Sequence, residues 1–264
     1  MFIAGCKYSP HPFTWGCRLR EGPLQGQVAL VTGAARRIGR EVALRMAAEG
    51  AQVAIHYRRS RAEADAVAAQ IAGAGGEAIC VAADLTRPGE IETLLGAVES
   101  RFGRLDILVN SAAAFFPTPL HETTEDQWDR LLDSNLKSQF FCAQFAAPLL
   151  RDSGHGRIVN FASLGGLVAW PRYTAYCVSK AGVIMLTRCL ARALAPEVTV
   201  NAVAPGTISF AEDAPELAEN YIRQAPLART GTPQDITAAV LYLAQAPFVT
   251  GQVLVVDGGR SIPA

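Results

Sequence analysis

The chain has 264 residues, of which 50% are hydrophobic and 18% charged, a composition that supplies one large buried core and excludes extended disorder. Its 24 basic and 24 acidic residues cancel, and all the basic ones except Lys7, Lys137 and Lys180 are arginine, so no general basic face for nucleic acid is implied. No apolar run approaches the roughly 20 residues that cross a bilayer. Cys6, Cys17, Cys80, Cys142, Cys177 and Cys189 show neither a C-x-x-C pair nor zinc spacing, which predicts a reducing cytosol and no metal site.

Residues 1–22 are broken by Pro10, His11, Pro12 and Gly16 and read as a flexible N-terminal arm; Phe2, Phe13 and Trp15 equally suit docking on a neighbouring subunit. From Gln27 onward, short β-branched runs alternate with longer helical patterns. Strands are predicted at 28–32, 52–57, 78–82, 105–109, 157–161, 198–203 and 253–256, with helices near 38–49, 61–73, 87–102, 124–150, 173–195 and 233–244. Alternation of this kind predicts a parallel sheet, and near-continuous apolar strands predict one covered on both faces. Residues 23–264 thus read as a single α/β, doubly wound Rossmann-type domain with a seven-stranded sheet. Between Pro205 and Thr232 lies an acidic, Ala-rich excursion, read as a substrate lid near 206–232; a rigidly packed loop is the alternative.

After the first strand, Thr32 to Arg40 form a glycine-containing turn that runs straight into a helix, whose free N–H groups favour a pyrophosphate beside Gly33, Arg37, Ile38 and Gly39. The same glycines also serve a tight turn and close helix–sheet packing with no ligand. At the end of the second strand an acid would hold a ribose 2′-hydroxyl, but this chain offers His56, Tyr57, Arg58, Arg59 and Ser60. Arg37 with Arg58 or Arg59 is expected to bind a 2′-phosphate, which favours NADPH over NADH.

Tyr176 and Lys180 stand four apart at a helix start and share a face. A tyrosine normally titrating near 10 needs roughly 4 kcal/mol to work near neutrality. A lysine cation about 4 Å away at an effective dielectric of about 20 supplies that order. Ser163 follows the fifth strand, where its hydroxyl is placed to bind a substrate oxygen, and Asn135 lies in a long helical stretch, placed to bend it and hold a water beside Lys180. Singly, each has a duller reading: a chance Tyr-x-x-x-Lys, a turn cap, a surface amide.

In this order, the residues resemble the short-chain dehydrogenase/reductase family from about Leu24 to Gly259. The resemblance implies an Asn135–Ser163–Tyr176–Lys180 tetrad, with tyrosine as proton donor, serine orienting the substrate oxygen and lysine on the nicotinamide ribose. It also implies cofactor contacts at Asp84, Leu85, Asn110, Pro205, Gly206 and Thr207, together with a homotetramer. Arg37, the run from His56 to Ser60, Phe115 to Leu120 and Asp257 to Arg260 look like the pteridine reductase branch. Phe115 would there stack on a flat pterin, although Phe115 and Phe116 equally fill an apolar wall. Three departures matter: Arg37 stands where the usual family turn has a glycine, in keeping with the pteridine branch and NADPH; Asn110-Ser111-Ala112-Ala113 replaces the usual Asn-Asn-Ala-Gly; and parasite pteridine reductases have an aspartate where Ser163 stands. The expected activity is hydride transfer from NADPH to a pterin-like C=N or small carbonyl. The alternatives are a 3-oxoacyl-thioester or general ketone reductase and, in another class, a non-catalytic NADPH-binding sensor.

Overall fold

The computed structural model describes residues 22–213 and 215–262, so the arm expected at 1–22 lies outside the described residues except for Gly22. Seven parallel strands form one sheet: β1 (Val28–Val31), β2 (Gln52–Tyr57), β3 (Ala78–Ala82), β4 (Ile107–Asn110), β5 (Gly156–Phe161), β6 (Val198–Pro205) and β7 (Val253–Val256), in the order β3-β2-β1-β4-β5-β6-β7. The connecting helices are α1 (Arg37–Ala48), α2 (Arg61–Gly73), α3 (Pro88–Phe102), α4 (Glu125–Leu132), α5 (Ser138–Asp152), α6 (Thr174–Ala193), α7 (Pro215–Gln224) and α8 (Pro233–Gln245).

Strand pleating divides the core in two. Ala29 and Val31 of β1 pack with Val42 and Met46 of α1, Val67 of α2 and Val240 of α8, whereas Val28 and Leu30 pack on the other face with Leu94 of α3, Cys142 and Ala146 of α5 and Ala191 of α6. This double cover is why the strands lack polar alternation. Strand order reverses between β1 and β4, and the loops leaving their carboxyl ends diverge to opposite faces and open a crevice.

The expected helix 124–150 is not continuous. α4 begins with a capping box between Thr124 and Gln127, then the backbone widens into a π-helical turn at Asp133–Lys137 before α5. β6 runs past the expected end at 203 because β7 pairs alongside as far as Pro205↔Val256. β4 extends to Asn110 through its register with Asn160 of β5.

At the amino-terminal edge of the sheet Asp106 is fully buried. Its carboxylate accepts hydrogen bonds from Val28 N–H at 2.8 Å and from Arg104 Nε and Nη2 at 2.9 and 2.6 Å, with His155 Nε2 at 3.1 Å. No described helix is long and apolar enough to cross a membrane.

Candidate active site

The turn after β1 needs its glycines. Gly33 adopts φ +66° and a Cβ there would lie 2.9 Å from Ala112 Cα, while one on Gly39 would lie 2.3 Å from Gly33 O. At the start of α1 no side chain caps the helix, so first-turn N–H groups stay available to an anion. Arg37, its first residue, holds φ +50°, the left-handed region that costs a side-chain-bearing residue roughly 1–2 kcal/mol.

The two arginines of this turn diverge. Arg36 reaches Glu63 in the first turn of α2, next to the exposed Arg58 and Arg59 at the end of β2. Arg37 turns the other way, donating from Nη1 and Nη2 to Asp213 at 2.8 and 3.1 Å and lying 4.2 Å over the Phe210 ring. The expected partnership of Arg37 with Arg58 or Arg59 is therefore corrected: Arg36 is the one on that side, because the left-handed φ at Arg37 turns its side chain away from that of the extended Arg36, a backbone feature the sequence does not display.

Several other expected cofactor residues turn their side chains into the framework. His56 accepts from Gly33 N–H on Nδ1 at 3.0 Å and donates from Nε2 to Ala83 O at 3.0 Å, so both ring nitrogens are spent. Burial lowers its pKa and holds it neutral. The Asn110 amide donates to Asn160 Oδ1 at 2.9 Å inside the sheet. Ile38, Tyr57 and Leu85 pack into the core. Asp84 stays near the surface; burial works against its charge, but Thr86 hydrogen bonds, Arg58 and Arg87 outweigh it and leave the pKa low. In place of the glycine and second asparagine missing after Asn110, Thr32 Oγ1 accepts from Ser111 and Ala112 N–H at 2.9 and 3.0 Å and fixes this backbone.

Asn135 sits in the π-turn with its amide fully used: it accepts from Ala114 N–H at 2.7 Å and donates to Ala114 O at 3.0 Å and Ser179 Oγ at 3.1 Å. The side chain ties the strand exit after β4 to α6, and the π-turn around it is the bend expected of this helical stretch.

Ser163, Tyr176 and Lys180 do come together. The Ser163 hydroxyl accepts from Gly165 N–H at 3.1 Å, and burial raises the Tyr176 phenol's pKa with the nearby Ser163 hydroxyl only partly opposing the rise. Lys180 is 2% exposed, donates to Phe161 O at 2.7 Å and lies 5.8 Å from the centroid of the Tyr176 ring. Burial pulls its pKa down to about 7. The expected lowering of Tyr176 by a close lysine cation is thus reversed here: burial raises the phenol's pKa, with Ser163 opposing it, and the same desolvation lowers the ammonium's.

Around the phenol, Trp170 stacks at 6.2 Å and Phe115 meets it edge-on at 4.8 Å, while Phe115 stacks on Tyr173 at 4.8 Å. The available sequence signal for this column is an aromatic at 170, 173 and 176, every third position. A cleft of about 180 Å³ opens beside it, lined by Leu164, Val168, Trp170, Thr207, Tyr221 and Arg260 among others. Tyr221 donates to Asp257 O at 2.5 Å, and Gly206 makes room for it, since a Cβ there would lie 1.9 Å from Tyr221 Oη.

Comparison with known proteins agrees with this architecture. A family model described as enoyl-(acyl carrier protein) reductase matches residues 33–261. The 3-oxoacyl-[acyl-carrier-protein] reductase FabG of Staphylococcus aureus is 43% identical over 237 residues, covering 88% of this chain and 96% of that protein. A 3-oxoacyl-[acyl-carrier-protein] reductase of Synechocystis is 40% identical over 240 residues, covering 89% and 97%. A dehydrogenase/reductase from Sinorhizobium meliloti superposes with a TM-score of 0.85 at 39% identity, covering 90% and 96%. On this sheet order, site geometry and extent of likeness, the chain is an oxidoreductase that belongs to the short-chain dehydrogenase/reductase family.

Proposed function

We propose that the chain reduces the ketone of a small substrate, with a 3-oxoacyl thioester as the first candidate, and that Tyr176 supplies the proton. The observation that carries this reading is the half-buried Tyr176 phenol stacked on Trp170 of the cleft wall: its raised pKa keeps its proton on, as a donor in the reductive direction requires. Ser163 steadies the carbonyl oxygen, and Lys180, with one hydrogen bond among the described residues, keeps donors free for a ribose. The names of the relatives favour the thioester over a pterin.

The residues present fit a dinucleotide. The glycine turn and uncapped α1 start suit a pyrophosphate, and Arg58, Arg59 and Ser60, with Arg36, suit the 2′-phosphate of NADPH. When bound, the nicotinamide supplies the hydride. Thr207, on the cleft wall after β6, belongs to the same proposed contact set. A sensor without catalysis is disfavoured because Ser163, Tyr176 and Lys180 converge.

A pterin substrate is the second reading, favoured by Phe115, which is 58% exposed and offers the face not covered by Tyr173. Homotetramer formation through α4, α5 and α6 is proposed from exposed Trp128, Phe140, Val178 and Met185. The cytoplasmic location is proposed from the free thiols of Cys80, Cys142, Cys177 and Cys189.

Cofactor oxidation measured with 3-oxoacyl thioesters, simple ketones, dihydrobiopterin and dihydrofolate tests the substrate. Turnover of thioesters is expected, and turnover of pterins alone would replace the first reading by the second. Tyr176→Phe should lower turnover by about 10²–10⁴-fold with cofactor affinity nearly intact; unchanged turnover removes the mechanism. NADPH should bind at least about tenfold tighter than NADH, the scale of one or two charge-assisted hydrogen bonds.

A further inference from the structure

Arg37 and the segment after β6 are joined in a way that the reaction does not require. The segment leaves the sheet at Gly206 and is pinched at its neck, where Gly231 N–H donates to Thr207 O at 2.9 Å and Ser209 N–H to Gly231 O at 3.1 Å. Beyond the neck it is tied on one side by Tyr221 to Asp257 O. On the other it is tied by Asp213, which takes both terminal nitrogens of Arg37 and also accepts from Phe210 N–H at 3.0 Å. Glu212 stands 3.6 Å from the same guanidinium, and the Phe210 ring lies beneath it.

Arg37 belongs to the other wall of the crevice. It is the first residue of α1, at the helix end suited to a pyrophosphate, and its left-handed backbone is a strained conformation at a functional turn. The outer fork of its guanidinium is filled by a carboxylate, so a phosphate taking that fork must displace Asp213.

We propose that Asp213 is a latch residue: it holds the 206–232 segment against the dinucleotide turn through Arg37, and a cofactor phosphate opens the latch by competing for that guanidinium. The proposal rests on the reading of this turn as a dinucleotide site with Arg37 as an anion-binding residue. Because the competing anion is the pyrophosphate, which NADPH and NADH share, the latch acts on both alike. Glu212 is the reserve carboxylate, close enough to take over when Asp213 alone is changed.

The test is a titration of NADPH and of NADH into the full chain and into Asp213→Asn, Glu212→Gln/Asp213→Asn and Arg37→Gln. Limited proteolysis of 206–232 without cofactor runs in parallel. The pair is partly exposed, with side chains 49% and 23% accessible, and is worth up to about 1 kcal/mol, or roughly two- to fivefold. The double carboxylate variant should bind both cofactors tighter by that factor and be cleaved faster. Arg37→Gln should bind both more weakly and also be cleaved faster. If Arg37→Gln weakens binding while the carboxylate variants leave affinity and cleavage unchanged, or weaken binding, the latch is wrong and the anion reading stands. If Arg37→Gln leaves both affinities unchanged, the anion reading itself falls, and the competition with it. An effect of the carboxylate variants on NADPH alone would move the competing anion to the 2′-phosphate and overturn the shared-anion form of the proposal.

Discussion

At the amino-terminal edge of the sheet the Asp106 carboxylate meets a guanidinium, an imidazole and a backbone N–H, whereas at the carboxyl-terminal edge the Lys180 ammonium meets, among the described residues, a single carbonyl oxygen. Both side chains are buried, at 0% and 2% exposure, so burial alone does not separate a structural ion from a reactive one. The partners do. Donors that converge on Asp106 stabilise its charge whatever happens at the crevice, and its work is to splice β1, β4 and the turn before β5. Lys180, facing a neutral acceptor, sits where its charge is nearly in balance, the condition under which a group responds to what binds beside it.

Lys180→Met separates the two cases most sharply, with turnover expected to fall by about 10²–10⁴-fold. Stability should move the other way. The folded pKa, about 7, lies below the ordinary 10.5, so between these values the unfolded chain binds more protons and stability rises with pH. The cost of burying the charge is greatest below about pH 7, and the variant escapes it. Thermal unfolding should therefore show Lys180→Met more stable than the parent at pH 6, with the gap closing toward pH 10; a variant less stable at pH 6 would show that the ammonium is well compensated.

Asp106→Leu should cost about 1–3 kcal/mol, because the buried Val28 N–H loses its acceptor, while turnover per folded molecule stays the same. Denaturant unfolding alongside active-site titration checks both, and a loss of turnover without a loss of stability would erase the distinction between the two ends. Smallest is His155→Gln, at 44% side-chain exposure, which should change stability by no more than about 0.5 kcal/mol. A larger loss would make His155 a true member of the Asp106 cluster.

The sheet was legible because each strand is a short apolar run between polar turns, and period-two packing on both faces leaves no other use for such runs. Ser163, Tyr176 and Lys180 were legible because helix spacing and strand ends place residues without knowledge of the fold. Direction was not. Arg36 and Arg37 are neighbours in sequence but reach α2 and the segment after β6 respectively, and only the positive φ at Arg37 separates them. His56 and Asn110 read as ligand contacts, yet both ring nitrogens of His56 and the Asn110 amide N–H bond to the framework, since a polar residue at a strand end can face inward as readily as outward. The sign of the Tyr176 shift was misjudged because a pairwise Coulomb term ignores the burial that comes with bringing the two groups together.

The π-turn at Asp133–Lys137 has a consequence for chain length. Its closing bond, from Ser138 N–H to Asp133 O, spans one residue more than an α-helical bond. In an ordinary helix a single-residue deletion rotates one arm by about 100°, and exposed ends absorb it. Here a deletion would convert the turn into plain α-helix and carry the Asn135 amide away from Ala114 and Ser179. Gaps in an alignment of such chains should thus collect in 206–232 and avoid 133–137, making helical length, rather than residue identity, the inherited quantity at this position.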